Sequence, residues 1–330
     1  MNISTGDTKL KISSWNMQCK FRAGKLYAKH LCDTSAFLAL SEHGLYKCEL
    51  NKLENIHPDF MGFGKNDKHL KDENFGKAKG YNGCALLWKK QINNRITKLP
   101  GLGTDRICVA KLKISSNVSC YIIAVYLPHQ SCKIASFEDE VSELENVIVE
   151  CLKDGQVLII GDENVQLALE YGRRGSPSQS KHANILMRMF LKYQITCYDL
   201  SYATGPTYTY EKAGIRTYID HVFVSDGLLE YVSDCEVLED VIENVSDHVP
   251  INISLNLSIP ATKPSLDIRK RVAWNKIPDT EIEPKYTSPL ESEVSRLIQK
   301  VNLEMSHTDD GKVLVKRKNN HEYDVIEILR

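Results

Sequence analysis

The 330-residue chain lacks paired cysteine motifs, long apolar runs and any excess of charge of one sign. Its ten cysteines (Cys19, Cys32, Cys48, Cys84, Cys108, Cys120, Cys132, Cys151, Cys197 and Cys235) never flank a two-residue gap. That spacing excludes a zinc knuckle or a thioredoxin-type pair, and no structural zinc is expected. Several lie in apolar segments, such as Cys84 in GCALLW and Cys120 in SCYIIAVYLP. A reduced thiol there behaves as a small hydrophobe, which points to a reducing, intracellular compartment. No stretch approaches the roughly 20 apolar residues that cross a bilayer. The amino terminus, MNISTGDTKLKISSWNM, has no signal-peptide core, so a soluble protein without membrane contact is expected.

With 42 Lys and Arg against 43 Asp and Glu, the net charge is −1. The field of the whole molecule therefore does not draw in a polyanion, and any attraction for nucleic acid must be local. The candidate is the loop 62–83, GFGKNDKHLKDENFGKAKGYNG, with Lys65, Lys68, Lys71, Lys77 and Lys79 beside Phe63, Phe75 and Tyr81. A merely solvated loop has the same composition.

What is present is an α/β pattern, 42% hydrophobic and 26% charged. Apolar strands are expected over Leu10–Trp15, Ala36–Leu40, Cys84–Trp88, Cys108–Ile114, Tyr121–Leu127, Gln156–Ile160, Tyr218–Val224 and Val249–Leu255. Helical spacing places Val141, Leu144, Val147, Ile148 and Leu152 on one face of a helix over Phe137–Leu152. A second helix is expected over Ala183–Tyr193. Some strands follow one another directly and others are separated by helices, which suits two packed sheets with helices outside. After Leu257 the prolines 260, 264, 278, 284 and 289 fall in a polar stretch. A domain of residues 1–258 is expected, then a linker and tail over 259–330, partly helical at Glu291–Val301 or disordered.

Polar residues stand at the ends of these strands. Asn16 follows KISSW, Glu42 follows FLALS, and Asp162 and Asn164 follow VLIIG. Asp220 interrupts TYIDHVFV, and Asp247-His248 opens HVPINISL. A carboxylate there is costly unless paired, hydrogen-bonded or metal-bound. Any one of them alone suits a turn or cap. Together they offer hard oxygen donors and one titratable imidazole, the groups that metal-assisted phosphoryl chemistry uses.

The order of the segments resembles the endonuclease/exonuclease/phosphatase superfamily, which includes deoxyribonuclease I and apurinic/apyrimidinic endonucleases. The matching segments are Trp15-Asn16, Glu42, Tyr126-Leu127-Pro128, Gly161-Asp162-Glu163-Asn164, Ile219-Asp220 and Ser246-Asp247-His248. The wording SEHGLYKCELNKL, YNGCALLWKK, AVYLPHQS, GPTYTYEKAGIRTYIDHVFVS and NVSDHVPI is most similar to the endonuclease domain of non-long-terminal-repeat retrotransposons. RVAWNKIPDTEIEPKY is similar to the connector that precedes the reverse transcriptase in those elements.

The resemblance implies a four-layered α/β sandwich of deoxyribonuclease I-like type, two mixed sheets flanked by helices. It also implies a monomeric Mg2+-dependent DNA endonuclease, with Mn2+ able to substitute. Nicking would leave a 3′-hydroxyl and a 5′-phosphate, in the nucleus if DNA is the substrate. A reverse transcriptase or element RNA is the further partner it implies. Glu42 would bind the metal, with Asn16 and Asp247 completing its surroundings. Asp162 would orient or deprotonate water, or relay a proton to the leaving group. Asn164 would hold a phosphate oxygen or that water, and Tyr126 would donate to the phosphate. His248, oriented by Asp220, would donate to the phosphate as imidazolium. Lys65, Lys68, Lys77, Lys79 and Tyr81 are the candidate DNA contacts.

The chain departs from the family pattern at three places. Glu163 stands where an apolar residue is usual, and its side chain should point into the sheet interior. Gln18 replaces the aspartate of apurinic endonucleases, which argues against abasic-site repair. His221 stands where tyrosine often follows the aspartate. Two other readings stay open on sequence alone: a phosphatase or phospholipase of the same fold, and a catalytically silent binding module.

Overall fold

The computed structural model describes residues 9–66, 82–115 and 118–257, together with the strands within 303–326. The chain divides into two compact units, Met1–Ser265 and Leu266–Arg330. In the first, β1 (Lys9–Asn16), α1 (Phe21–Thr34), β2 (Phe37–Ser41), β3 (Phe60–Lys65) and β4 (Cys84–Lys89) come first. Next are β5 (Ile96–Lys98), β6 (Ile107–Lys113), β7 (Ser119–Tyr126), α2 (Ile134–Leu152) and β8 (Gln156–Asp162). They are followed by α3 (Lys181–Lys192), β9 (Ile195–Cys197), α4 (Asp199–Tyr202), β10 (Tyr210–Lys212) and β11 (Ile215–Thr217). The unit closes with β12 (Asp220–Ser225), β13 (Val232–Val237) and β14 (Ile251–Asn256).

Two six-stranded mixed sheets form, in the orders β13-β14-β1-β2-β4-β3 and β5-β6-β7-β8-β12-β9. Period-two alternation decides which face each residue serves. On β2, Phe37 and Ala39 join the core between the sheets, while Leu38 and Leu40 face a second cluster with Tyr27 and Leu31 of α1. On the far side, Phe137, Val141, Leu144 and Ile148 of α2 pack over the second sheet. The four-layered α/β sandwich follows. Because strands are covered on both faces, they read as continuous apolar runs, which is why they were legible.

One glycine sets the register at the mouth. In Gly161-Asp162-Glu163-Asn164, a Cβ on Gly161 would lie 2.0 Å from the Val125 carbonyl oxygen. Only glycine lets β8 run this close beside β7, with Val125 opposite Gly161 and Tyr126 opposite Asp162. Gly161→Ala is expected to cost about 1–3 kcal/mol or more from overpacking, read as a lower urea midpoint. An unchanged midpoint would show that the strands spread freely.

The structure extends the expectations at several points. Helix α1 was not foreseen, because its apolar face is interrupted by Lys and Gly and no capping side chain marks its start. The first residues of the lysine-rich loop are strand β3, whose FMGFGK hides its alternation behind two glycines. In the second unit, β15 (Leu303–His307), β16 (Val313–Arg317) and β17 (Tyr323–Ile326) form an antiparallel sheet where the sequence suggested no strand. The helix expected at 291–301 lies outside the described residues. No described helix is long and apolar enough to cross a membrane.

Candidate active site

The parallel pairing of β1 with β2 sets Asn16 opposite Ser41, so Glu42 emerges next to Asn16. In the other sheet Asp162 is flanked by Tyr126 of β7 and Asp220 of β12. The strand ends of both sheets thus meet at one cleft of about 610 Å³. Glu42, Tyr126, Asp162, Asn164, Asp247 and His248 line it, with Gln18, Lys20, Tyr210 and Lys212 among their neighbours. Asn16 and Asp220 stand behind that lining. Gln18, Cys19, Glu42 and Asn164 all adopt positive φ, between 47° and 56°. Such strain in non-glycine residues clusters where surrounding structure imposes it, commonly at functional sites.

Asn16 ties the sheets together. Its Nδ2 donates to Glu42 Oε1 at 3.0 Å and to Asp162 Oδ2 at 2.8 Å. The Gln18 backbone N–H donates to Asn16 Oδ1 at 2.8 Å, and an N–H can only donate, so the amide oxygen must face it. Asn16 therefore presents its NH2 to the carboxylates and positions them rather than offering a metal an oxygen. Asn164 shows a similar constraint. Its backbone N–H donates to Asp162 Oδ1 at 2.9 Å, and its Nδ2 donates to Leu127 O at 2.9 Å and Asp162 Oδ2 at 3.1 Å. Only its carbonyl oxygen remains, which suits a water and not a phosphate oxygen.

His248 Nδ1 lies 2.9 Å from Asp220 Oδ2, and its Nε2 lies 3.9 Å from Asp162 Oδ2. The Thr209 hydroxyl, which accepts from the Ile219 and Asp220 amides at 3.0 Å each, fixes the turn before Asp220. Behind the ring, the Trp15 indole and the Asn244 amide both donate to the His248 carbonyl. Burial disfavours the charged ring, but Asp220, then Asp162 and Glu42, outweigh it and raise His248 to about 9. Burial first, and the Asp220 carboxylate next, push Asp162 well above the usual carboxylate range. Burial, then Glu42 and Asp162, raise Tyr126 and keep its phenol protonated as a donor. Arg106 stacks 4.7 Å over that ring.

Glu42 and Asp162 are therefore linked through the Asn16 amide, and His248 stands 3.9 Å from Asp162. For a cation, Glu42 and Asp247 offer carboxylate oxygens on the cleft wall, a hard set that suits Mg2+ or Mn2+. The Asp247 carboxylate now faces Lys212 at 3.7 Å. Asp162, Asp220 and His248 also bring one ligand atom each within 4.8 Å of one another. His248 is joined to Asp220, and the Asp162 oxygens accept from the Asn16 and Asn164 N–H groups, so these side chains fit proton transfer and positioning.

The expected DNA contacts fare differently. Lys65 sits on β3 and donates to the Leu102 and Gly103 carbonyls, away from the cleft lining. Lys68, Lys77, Lys79 and Tyr81 lie outside the described residues. A cluster of described positive charge is formed instead by Lys20, Arg22, Lys25 and Lys52. They line a second depression of about 540 Å³ and outnumber Glu49 there. Sequence reading missed Lys20, Arg22 and Lys25 because α1 itself was missed; the signal was the cation spacing in QCKFRAGK. Glu163 is fully buried, as expected. Its Oε2 accepts from the His221 backbone N–H at 3.0 Å, and burial pushes its carboxyl well up.

Residues 120–252 match the family model described as endonuclease-reverse transcriptase. No curated protein matches. Among solved structures, the endonuclease domain of TRAS1, a telomere-specific non-LTR retrotransposon, is similar over 76% of this chain and 100% of its own. Its identity is 15% and its TM-score 0.56. The AP endonuclease LMAP from Leishmania major is 16% identical, with 75% and 87% of the chains covered and a TM-score of 0.56. A 3′ phosphatase, NExo, from Neisseria is 19% identical over 74% and 99%, with a TM-score of 0.54. At these identities the shared property is the fold, that of nuclease-type phosphodiesterases. The family model matches residues 120–252, and the two-sheet architecture is the deoxyribonuclease I-like fold that these structures share.

Proposed function

We propose that the protein is a divalent-metal-dependent endonuclease that nicks DNA to leave a 3′-hydroxyl and a 5′-phosphate. The observation that carries this reading is the meeting of Glu42, Asp162 and the His248–Asp220 pair in one cleft through the Asn16 amide. Mg2+ or Mn2+ held by Glu42 and Asp247 would neutralise phosphate charge and stabilise the leaving oxygen.

The chain's own residues supply the rest. Asp162, with a raised proton affinity and three N–H donors fixing its oxygens, accepts the proton of the attacking water. The Asn164 carbonyl holds that water in place. On the other side His248, protonated at neutral pH, donates from Nε2 to a phosphate oxygen, and the neutral Tyr126 phenol donates to another. The hairpin β10–β11 forms a wall of the cleft through Tyr210, Lys212 and Thr217. Support for DNA comes from the basic depression beside the cleft and from the family model's description. Gln18, bonded to Lys20 and the Asp247 amide, stands where the abasic-site enzymes carry an acid. A nuclear place of work, and a reverse transcriptase that extends the 3′-hydroxyl, follow from that substrate.

The test is conversion of supercoiled plasmid to open circles by purified protein, with Mg2+ and with chelator. Metal-dependent nicking supports the reading; tight binding without nicking would make the protein a silent module. Release of inorganic phosphate from a 3′-phosphate oligonucleotide without nicking would make it a phosphatase instead.

Binding should also depend steeply on salt, because the contacts go to phosphates. Arg22→Ala and Lys25→Ala are each expected to reduce the slope of log affinity against log salt by about 1. Slopes unchanged in both variants would remove α1 from the interface.

A further inference from the structure

We propose that Cys197, Asp199 and His221 form a second metal site, for one zinc-type divalent ion, buried behind the catalytic pair. All three side chains are buried. Cys197 Sγ lies 3.3 Å from Asp199 Oδ1 and 3.8 Å from His221 Nδ1, and Asp199 Oδ2 lies 3.0 Å from the same nitrogen. Ligand atoms around one zinc, bonded at about 2.0–2.3 Å, stand roughly 3–4 Å apart. The triad already has that spacing.

The tautomer points the same way. His221 Nε2 lies 3.0 Å from the Val165 carbonyl, which can only accept, so Nε2 carries the hydrogen. Nδ1 is left facing a carboxylate oxygen and a thiol. Metal-binding histidines characteristically donate their other ring N–H to a carbonyl or carboxylate in this way. A further carboxylate stands near the triad. Glu163 Oε2 is held by the His221 backbone N–H, and Glu163 Oε1 is fully buried without a hydrogen-bond partner among the described residues. Glu163 and His221 are two of the positions at which the chain departs from the family pattern, and they meet here.

The donor set differs in kind from that of the cleft. Thiolate, imidazole and carboxylate favour zinc or cobalt, whereas the oxygens of Glu42 and Asp247 favour magnesium. Entry of the ion displaces the Cys197 thiol proton, and the Nδ1 proton where the ring is protonated, and these go to solvent. The ion would tie β9 and the start of α4 to β12, one residue from Asp220. Cysteine spacing could not reveal such a site, because its ligands come from three separate segments and include a single cysteine.

The test uses the full-length protein, purified without added chelator, for metal content and then loaded anaerobically with Co2+. The expected result is about one equivalent of tightly held zinc, and a near-ultraviolet thiolate-to-cobalt band with visible bands of a distorted tetrahedral site. The band should persist in Glu42→Gln, which alters the cleft, and in Cys19→Ser, which removes the thiol beside Glu42, and be lost in Cys197→Ser and Asp199→Asn. Persistence in Glu42→Gln separates this site from the proposed nuclease metal, so either reading can fail alone. Folded, unaltered protein that holds no zinc and gives no thiolate band would overturn the proposal, leaving an imidazolium–carboxylate pair. So would a band that survives in Cys197→Ser. These readings on the unaltered protein decide the matter even if that variant does not fold.

Discussion

Glu42→Gln is expected to lower metal-dependent nicking by at least about 10²–10³-fold while leaving the unfolding midpoint nearly unchanged. The side chain lines the cleft, where it accepts from the Asn16 amide at 3.0 Å and the Cys19 thiol at 3.7 Å. Glutamine keeps the size and an oxygen to accept from Asn16, so the strained turn at φ 48° loses little support. What it loses is the charge that would hold a divalent ion against an anionic phosphate. The loss should appear mainly as a higher metal requirement, with partial recovery at high Mg2+. Asn16→Ala offers the contrast. It removes no metal donor but frees Glu42 and Asp162 from their shared bond, and a 10- to 100-fold lower apparent metal affinity is expected, roughly, for loss of such an outer partner. If Glu42→Gln nicks at the original rate and the original Mg2+ dependence, Glu42 is not the metal residue and the proposed mechanism fails.

The parts of the site visible in the sequence are those where a polar residue ends an apolar strand. Asn16, Glu42 and Asp162 stood out because a buried strand tolerates an acid or amide only where the chain leaves the sheet. Asp220 and His248 were legible through the family wording, and the geometry joins them at 2.9 Å. What could not be read were orientations and partners. Nothing in the text of the chain shows that Gln18 turns the Asn16 oxygen away, or that Asn164 spends both amide hydrogens. The lysine-rich loop drew attention by composition, yet Lys65 bonds to carbonyls while unremarkable Arg22 and Lys25 line the basic depression. Composition reports charge, and only the fold says where that charge faces. The strands of the second unit escaped because runs of four or five residues are too short to establish a period.

His248→Ala is expected to reduce nicking by about 10²–10⁴-fold, and the pH profile should say why. The unaltered enzyme needs imidazolium at His248, whose affinity for the proton is raised from 6.5 to about 9. Its rate should therefore rise as Asp162 loses its proton at about 7 and fall as pH rises through about 9. Asp220→Asn keeps the ring's size and a hydrogen-bond acceptor but removes the charge that outweighs burial. Burial then dominates, the ring loses its proton at lower pH, and the alkaline fall should move to the acid side. Stability must follow the same sign. A group whose folded affinity is raised contributes stability present in full below about 6.5 and lost as pH climbs through about 9. The unaltered protein should thus lose unfolding free energy over that window, and Asp220→Asn should lose much less of it. Because the two readouts share one cause, an alkaline limb that stays fixed in Asp220→Asn while the stability window disappears would mean that His248 serves the fold and another group serves the phosphate.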